Sequence, residues 1–326
     1  MQADFPLFQV WREDYFGRVR FAARRRVPDQ HPHLVITDDL GELRAVLAGA
    51  PPAPARLATG GWGARRFNPD VAHPARVYAC WLGSKDTYPA DRQAAEEVAA
   101  RRPQVVASAR ANRAFGARVT RFLAGQRGVT QFLDVGAGLP AAEATHQVAQ
   151  AITPGARVVY VDSDALVLTH ARALLTSSPE GRCDYVDADL RDPQAILQEA
   201  ARTLDFTRPV AVLLLAVAHF LADADDPAGV VAALAAGLAP GSFIALSHLT
   251  ADFAPDAVLA GVAAYNARVP AGITARSHAQ VSALLGGLGL VPPGVVPVTE
   301  WRPGHAGWPG HGADLYAGVA VVRRPW

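Results

Sequence analysis

The sequence predicts an α/β fold in which helices cover both faces of a largely parallel sheet, preceded by a small α+β unit. Short apolar runs alternate with helical segments through residues 131–248, which is typical of βαβ units. These runs show little polar alternation, so both faces of each strand are expected to be buried. Half of the 326 residues are hydrophobic, which is enough for a sizeable core.

Residues 1–48 are predicted to form the small α+β unit. Strand-like runs at 8–11 and 19–23 flank a turn signal at Asp14-Tyr-Phe-Gly17, and a third run at 34–37 leads into a helix that ends at Leu47. Residues 49–67 are rich in proline, alanine and glycine, which indicates a linker. The main domain, 68–326, is expected to begin with a helical cover at 70–125, including helices at 89–101 and 103–124.

The alternating elements of the main domain follow this cover. The predicted strands are 131–135, 157–161, 183–187, 210–217 and 242–248, and the predicted helices between them are 141–152, 164–176, 193–203 and 227–238. Asp192 and Asp226 each precede a proline as helix N-caps, and Ser277 begins a capping box. Segments 294–301 and 315–323 lack a helix between them, so we expect a terminal antiparallel pair.

Composition excludes several classes of protein. The formal net charge is +1, which argues against a nucleic-acid partner held by bulk positive charge. The N-terminus has no secretory signal, and the longest apolar run, 210–221, is too short to cross a bilayer. Two cysteines provide no disulfide framework or zinc cluster. We therefore expect a cytoplasmic protein; the sequence does not indicate its oligomeric state.

The first strand leads into a glycine loop, Asp134-Val-Gly136-Ala-Gly138. Two glycines let the backbone approach a ligand closely at the carboxyl end of a strand, where α/β sheets bind ligands. The second strand ends at Asp162, 24 residues after Gly138, a spacing that suits a carboxylate accepting both ribose hydroxyls. After the third strand, Asp189 can accept from an adenine amino group, with the backbone amide of Leu190 beside it.

Two cofactors fit this pattern. Gly136-x-Gly138-x-x-Ala141 also matches the dinucleotide fingerprint, so a nicotinamide-dependent oxidoreductase is an alternative. Three features favour S-adenosylmethionine (SAM). Asp134 would repel a pyrophosphate but can meet the amino group of a methionine moiety, the acid after the third strand suits adenine, and the terminal antiparallel pair suits a methyltransferase sheet.

Several further motifs strengthen the SAM interpretation. The sequence resembles an actinobacterial SAM-dependent methyltransferase family long catalogued as a domain of unknown function, on the segments 76–86, 91–92, 109–113, 132–140, 185–193 and 300–303. The resemblance covers about 68–325 and implies a Rossmann-like class I methyltransferase fold, SAM as cofactor and S-adenosylhomocysteine as product. It names no substrate, although we expect a small molecule. The first motif departs from the family pattern at Ala79, Cys80, Trp81 and Ser84.

The expected cofactor contacts combine the loop, the strand ends and the helical cover. They are Asp134, Gly136, Gly138, Asp162, Ser163, Asp189, Leu190, Ala216, Tyr78, Asn112 and Arg113. For Tyr78 packing is the alternative, and Asn112 and Arg113 could instead tie the cover to the core. No metal site is expected: Asp223 and Asp225 are better interpreted as solvated, and Asp226 as a helix cap.

The catalytic residue is not identified by the sequence. Methyl transfer from a sulfonium uses an activated donor, so a base is needed only when the acceptor carries a proton. The candidates are Tyr78, His219 and His248, and each histidine could instead be a satisfied core residue. Lys85 and Asp86 could pair with each other or touch a ligand. A SAM-binding sensor without turnover is a second alternative, suggested by the altered segment 79–81 and the N-terminal unit.

Overall fold

The computed structural model describes residues 8–15, 18–25, 34–37, 40, 43–44, 68–85, 87–140, 143–164, 167, 177–303 and 312–323. The chain divides into two compact units, Met1–Arg65 and Arg66–Trp326. Asp86, the linker, and most of the predicted helices at 38–47 and 164–176 lie outside the described residues. The predicted domain bounds, with a first unit at 1–48, a linker at 49–67 and the main domain at 68–326, stay a prediction.

The first unit contains a three-stranded antiparallel sheet. It is formed by β1 (Phe8–Tyr15), β2 (Arg18–Arg25) and β3 (Leu34–Thr37), in the order β1-β2-β3. Tyr15 pairs with Arg18, so the predicted hairpin is confirmed, with strands longer than the predicted runs. Ala23 and Leu43 are fully buried within this unit.

Three helices begin the second unit. They are α1 (Pro74–Trp81), α2 (Pro89–Arg101) and α3 (Val105–Arg127). Proline occupies the first turn of α1 and α2, where the missing amide hydrogen has no helical acceptor to lose. Gly128 ends α3 in the left-handed conformation, with φ of 66°. The helical cover predicted ahead of the first sheet strand is therefore present.

The strands of the second unit form one mixed sheet. They are β4 (Gln131–Val135), β5 (Arg157–Asp162), β6 (Arg182–Asp187), β7 (Ala211–Leu215), β8 (Phe243–Leu249), β9 (Gly289–Leu290), β10 (Val296–Pro297) and β11 (Leu315–Val321). Their order is β10-β11-β8-β7-β4-β5-β6, with β4 to β8 parallel and β9 paired to β11. Since β4 lies between β5 and β7, the strand order reverses there and leaves a crevice at the carboxyl ends.

The end of the sheet is antiparallel, as predicted, but the pairing partner differs. β11 pairs along its whole length with β8, from Leu315 opposite Leu249 to Val321 opposite Phe243. The expected strand at 294–301 is reduced to the two residues of β10. Prolines at 292, 293 and 297 lack an amide hydrogen, so this segment cannot sustain a longer ladder.

Helices pack on both faces of the sheet. They are α4 (Thr145–Ile152), α5 (Pro193–Ala200), α6 (Pro227–Ala236), α7 (Pro255–Arg268) and α8 (His278–Leu284). One core cluster joins Ile196 to Leu133, and a second joins Phe115 and Val258 to Phe132. Neighbouring residues of β4 thus enter different cores, which confirms an α/β fold with a doubly covered sheet.

Several boundaries differ from the predicted ones. α4 begins at Thr145 rather than 141, and β7 ends at Leu215 because Ala216 turns the backbone to φ of 53°. α7 was not predicted, since small residues on most of its faces conceal the helical period. It packs against α2 through Ala264 and Tyr265.

The predicted helix caps are confirmed. Asp192 accepts from the Ala195 amide and Asp226 from the Gly229 amide, each at 3.0 Å. The Ser277 amide donates to Gln280 at 2.9 Å, completing the capping box. Among the described residues, no helix has the length and apolar character needed to cross a membrane.

Candidate active site

The glycine loop lies between β5 and the segment that follows β7. Gly136 and Gly138 have φ of 75° and 65°, the left-handed region that favours glycine. The amides of Gly136 and Ala137 donate to Val161 O at 2.8 and 3.1 Å. A side chain at Gly136 would collide with Val217, its Cβ lying 2.7 Å from that of Val217. The loop is therefore packed so closely that only backbone fits there.

Asp162 connects the loop to the end of β5. Its carboxylate accepts from the Gly138 amide and from the Asp164 amide, both at 2.9 Å. Burial raises the pKa of Asp162 to about 6. Each carboxylate oxygen can accept a further hydrogen bond, so ligand hydroxyls can still be bound there. Ser163 follows in the same turn and is half-buried.

Asp134, at the start of the loop, is partly buried. It accepts from Thr145 Oγ at 2.6 Å, and burial raises its pKa. The guanidinium of Arg113, on α3, acts in the opposite direction and lowers this pKa. A carboxylate and a guanidinium thus lie within electrostatic range of each other at the entrance of the loop.

Arg113 is only partly satisfied by the protein. One terminal nitrogen lies 3.4 Å from Leu139 O, and the guanidinium lies 5.7 Å from the ring centre of Tyr78. Its Nε is buried and has no hydrogen-bond partner among the described residues. A buried donor without a partner is costly, so this nitrogen retains the capacity to donate to one further acceptor.

Tyr78 and Asn112 join the cover to the sheet. The Tyr78 hydroxyl donates to Ala109 O at 2.9 Å and accepts from Asn112 Nδ2 at 3.0 Å. Asn112 Oδ1 accepts from Ser247 Oγ, on β8, at 2.5 Å. Burial raises the pKa of Tyr78. This geometry favours the structural alternative for Asn112 and leaves the Tyr78 hydroxyl occupied, while its ring faces a cavity.

The remaining predicted cofactor residues lie at neighbouring strand ends. Asp189 accepts from the amide and side chain of Arg191 at 3.0 and 3.2 Å, and Leu190 beside it is buried. The amide of Ala216 donates to Ser247 Oγ at 2.9 Å from its positive-φ turn. A non-glycine residue in this conformation stores strain, which is common beside ligand sites.

A buried ionic cluster that the sequence analysis missed lies behind the site. Asp91 is fully buried and accepts from the His73 amide at 3.0 Å and from Arg76 at 3.2 Å. Asp164, two residues after Asp162, lies 2.9 Å from His73 Nδ1. Arg76 and Asp91 lie in two of the segments on which the sequence resembles the methyltransferase family. That resemblance was the one sequence signal that could have pointed to this cluster. The cluster ties the helical cover to the turn of Asp162.

A cavity of about 570 Å³, open solvent included, lies beside the glycine loop. Five rings follow one another along its wall, with centre distances of 6.3 Å, 6.4 Å, 6.3 Å and 4.6 Å in the order Tyr78, Trp81, Tyr265, Phe220 and His219. Other lining residues are Pro74, Val98, Arg102, Val105, Ser108, Ala109, Ala216, Leu249, Gly261, Val262, Ile273 and Leu315. The cover, α7 and the turn after β7 therefore build one aromatic pocket.

The two histidine candidates differ in their hydrogen bonding. His248 has its Nδ1 2.8 Å from Leu249 O and accepts from Arg276 at Nε2 at 3.0 Å, and burial lowers its pKa to about 4. His219 lines the cavity, and its buried Nδ1 has no partner within the described structure. Burial lowers the pKa of His219 well below its usual value, so the ring is neutral. Only His219 offers a ring nitrogen to a ligand.

The acidic residues Asp223 and Asp225 and the lysine Lys85 do not line this cavity. Asp223 pairs with Arg276 at 2.6 Å and Asp225 with Arg191 at 3.2 Å. Within the part of the chain that the structure describes, no three histidine, cysteine or acidic side chains gather as a metal site. Lys85 is exposed.

Comparison with known proteins agrees with this geometry. A family model described as S-adenosyl methyltransferase matches residues 60–323. A solved DUF574 family protein from Streptomyces avermitilis is 42% identical, with a TM-score of 0.75 over 78% of this chain and 98% of that one. A methyltransferase candidate from Thermobifida fusca is 36% identical, with a TM-score of 0.73 over 81% and 100%. No curated protein matches the chain.

The family match removes the nicotinamide alternative that the glycine loop alone left open, because the matched family uses SAM. It extends over nearly all of the second unit, so the loop, the strand ends and the helical cover are all included. The chain therefore belongs to the S-adenosyl methyltransferase family and is a SAM-dependent methyltransferase with a Rossmann-like fold, using SAM and releasing S-adenosylhomocysteine.

Proposed function

We propose that this methyltransferase acts on a small organic molecule held in the aromatic cavity. The supporting observation is that the cavity and the glycine loop share walls. Ala216 lines the cavity, and the next residue, Val217, packs on Gly136. Tyr78 lines it too, and Arg113 connects that ring to the loop at Leu139. A substrate in the cavity would therefore lie next to a cofactor at the loop.

The residues around the loop fit the amino-acid part of SAM. We assign Asp134 to the cofactor ammonium and Arg113 to its carboxylate, since the two side chains carry the complementary charges. The unpartnered Nε of Arg113 supports this assignment. The left-handed glycines Gly136 and Gly138 let the chain approach without side chains. When bound, SAM supplies a methyl group already activated on a sulfonium.

The nucleoside part is assigned to the ends of β5 and β6. Asp162 and Ser163 would hold the ribose, and Asp189 with the amide of Leu190 would meet the adenine. Asp162 supports this because its carboxylate retains acceptor capacity beyond its two amide bonds. Asn112 is assigned to the cover instead of the cofactor, because both ends of its amide are engaged.

A small molecule is favoured over a macromolecular acceptor. The cavity is lined mainly by apolar and aromatic side chains with a few polar groups, which is typical of small-molecule sites, and a net charge of +1 gives no general attraction for nucleic acid. We also propose a cytoplasmic, actinobacterial enzyme. SAM is an intracellular metabolite, and the two similar solved proteins come from Streptomyces and Thermobifida.

Calorimetry and isotope transfer test this proposal together. SAM and S-adenosylhomocysteine should bind the wild type, whereas Arg113→Met should bind SAM at least tenfold more weakly. Arg121→Met, which removes an exposed arginine of the same helix, is the matched control and should bind normally. Labelled SAM should transfer its methyl group into a metabolite extract. SAM binding without label transfer would support the sensor alternative instead.

A further inference from the structure

The polar groups of the aromatic cavity fall into two sets. Arg102 donates to Asp314 at 2.8 Å and to Ser108 at 3.1 Å, so both polar lining residues are paired. The Tyr78 hydroxyl is also engaged. His219 and Tyr265 remain, and neither side chain has a hydrogen-bond partner among the described residues. These two groups are therefore the ones that a ligand would complete.

The Tyr265 hydroxyl is the clearest example of a buried polar group without a hydrogen-bond partner on the cavity wall. The residue is only 2% exposed, yet its hydroxyl has no partner. Burial raises the pKa of Tyr265, so the hydroxyl stays neutral and can either donate or accept. Native proteins rarely leave such a group unsatisfied, because its desolvation is not compensated. Its position on the cavity wall points to a ligand polar group opposite it.

The electrostatic surroundings favour one ligand charge over the others. Arg102 and Arg276 are close enough to His219 to oppose its protonation. Among the described residues that line the cavity, none carries a carboxylate. A cationic ligand would lose hydration without gaining a counter-ion. Arg102 is paired with Asp314 and Arg276 with Asp223, so neither guanidinium is left for an anionic ligand, and an uncharged ligand suits the cavity best.

We propose that the substrate is an uncharged, planar aromatic molecule whose phenolic hydroxyl accepts the methyl group, with His219 as the base and Tyr265 as a hydrogen-bond partner to a second polar group. This inference rests on the proposed function, because it assigns a substrate class to the same cavity. The five rings from Tyr78 to His219 provide stacked and edge contacts for a planar ligand.

The proton and the bonds balance without a further reactant. The phenolic oxygen forms a bond to the methyl carbon as the carbon–sulfur bond breaks, and sulfur keeps that electron pair in neutral S-adenosylhomocysteine. The hydroxyl proton passes to the unprotonated ring nitrogen of His219 and from there to solvent. The buried Nδ1 has no competing hydrogen-bond partner among the described residues, and because burial lowers the pKa of His219 the ring accepts the proton only transiently and releases it again.

Three naphthalenes that share one ring system and carry a neutral, an anionic or a cationic substituent test the substrate class. Calorimetry with S-adenosylhomocysteine present should find that 2-naphthol binds at least tenfold more tightly than 2-naphthoate or the cationic 2-naphthylmethylamine. 7-Hydroxyflavone, a larger phenol, should bind as well. Tighter binding of the amine or of the carboxylate would overturn the inference. So would failure of both phenols to bind to protein that binds S-adenosylhomocysteine normally.

Variants of the two unpartnered side chains test their roles. With 2-naphthol and labelled SAM, His219→Asn and His219→Gln should lower kcat at least a hundredfold and change KM less than threefold, because an amide can hydrogen-bond but cannot take the proton. Tyr265→Phe should raise the Kd of 7-hydroxyflavone severalfold. His278→Asn and Tyr316→Phe, which lie outside the cavity, are the matched controls and should change neither value.

The outcomes separate this inference from the proposed function. If SAM itself does not bind, the proposed cofactor site fails. If SAM binds and label enters other metabolites but no phenol binds or is methylated, only the substrate assignment fails. If 2-naphthol is methylated as fast by His219→Asn and His219→Gln as by the wild type, the assigned base is wrong. Binding of S-adenosylhomocysteine by each variant shows that it has folded.

Discussion

At the residue scale, Asp162 holds the glycine loop in place and is also the residue that we assign to the ribose. Its carboxylate accepts from the amides of Gly138 and Asp164, so one side chain fixes the glycine loop against the turn after β5. Burial raises its pKa to about 6, with His73 acting in the opposite direction. The ionised carboxylate, which can accept hydrogen bonds from ribose hydroxyls, is therefore present at neutral pH and lost in mild acid.

This titration predicts a pH dependence of cofactor binding. Because the raised pKa favours the protonated carboxyl below pH 6, SAM should bind roughly tenfold more weakly at pH 5 than at pH 7. In the ligand-free protein, stability depends on pH in the opposite direction. Between pH 4 and 6 the folded state binds a proton that the unfolded state has lost, so the contribution of Asp162 to the free energy of unfolding falls as the pH rises. Calorimetric titrations at both pH values measure the affinity. Asp162→Asn should bind SAM weakly at either pH, and a full pH dependence in that variant would contradict the assignment.

The glycine loop gives a second prediction for single residues. Gly136→Ala should destabilise the fold by more than about 2 kcal/mol, because it adds a collision with Val217 to the strain of a positive φ. Gly128→Ala is the control, since its φ is 66° and nothing lies within 4 Å of an added Cβ. That control should lose only about 1–2 kcal/mol. Urea unfolding measures both, and equal losses would show that the packing on Val217 is unimportant.

At the element scale, the cover is held to the sheet by buried polar contacts as well as by apolar packing. α1 contributes Arg76 to the carboxylate of Asp91 on α2, and the same arginine lies 3.6 Å from Asp164 after β5. α1 and α3 are joined to β8 through Tyr78, Asn112 and Ser247. These links connect elements that are distant in sequence.

Removing one partner of the buried pair should loosen this arrangement. Asp91→Asn leaves Arg76 with less charge compensation in a buried setting, so we expect a loss of about 3 kcal/mol in the free energy of unfolding. Glu97→Gln is the control, because Glu97 is on the same helix and its pair with Arg268 is partly exposed. Solvent screens an exposed pair of this kind, so its loss should change the free energy of unfolding little. Denaturant titration compares them, and similar losses would contradict a special role for the buried cluster.

The elements that the sequence predicted well are those with a strong local signal. β4 and α2 have the predicted bounds, because a short apolar run and a proline-led helix are recognisable within a few residues. α7 and the short β10 were not predicted correctly. Their structure depends on packing against α2 and β11, which no local pattern of small residues or prolines reveals.

At the scale of the whole molecule, every predicted cofactor and catalytic residue lies in the second unit. The family match begins at residue 60 and the compact unit at Arg66. We therefore predict that a chain of residues 66–326 folds and binds SAM with a Kd within about threefold of the full-length value. Calorimetry and circular dichroism test this. Loss of SAM binding by a folded 66–326 chain would show that the first unit contributes to the site.

The positions at which the first motif departs from the family pattern include a residue of the cavity wall. Trp81 is one of these departures, and its ring lines the cavity while its indole nitrogen donates to Ala95 O at 3.1 Å. Trp81→Leu should enlarge the cavity and weaken the binding of 2-naphthol, with SAM affinity unchanged. Parallel calorimetry with the two ligands measures the difference. An equal loss for both would show that Trp81 supports the fold and not the substrate.

The sequence by itself determined the alternating elements, the glycine loop, the acids that end β5 and follow β6, and the family. The elements, the loop and the acids are encoded within a few residues by periodicity, capping or spacing, whereas the family was indicated by its resemblance on motifs spread between residues 76 and 303. Only the tertiary structure decided which candidate side chains are free to act. His248 is engaged by Arg276, Asn112 by a serine 135 residues away, and His219 and Tyr265 by no described residue. Such differences depend on contacts between distant elements, because hydrogen-bond partners are chosen by packing.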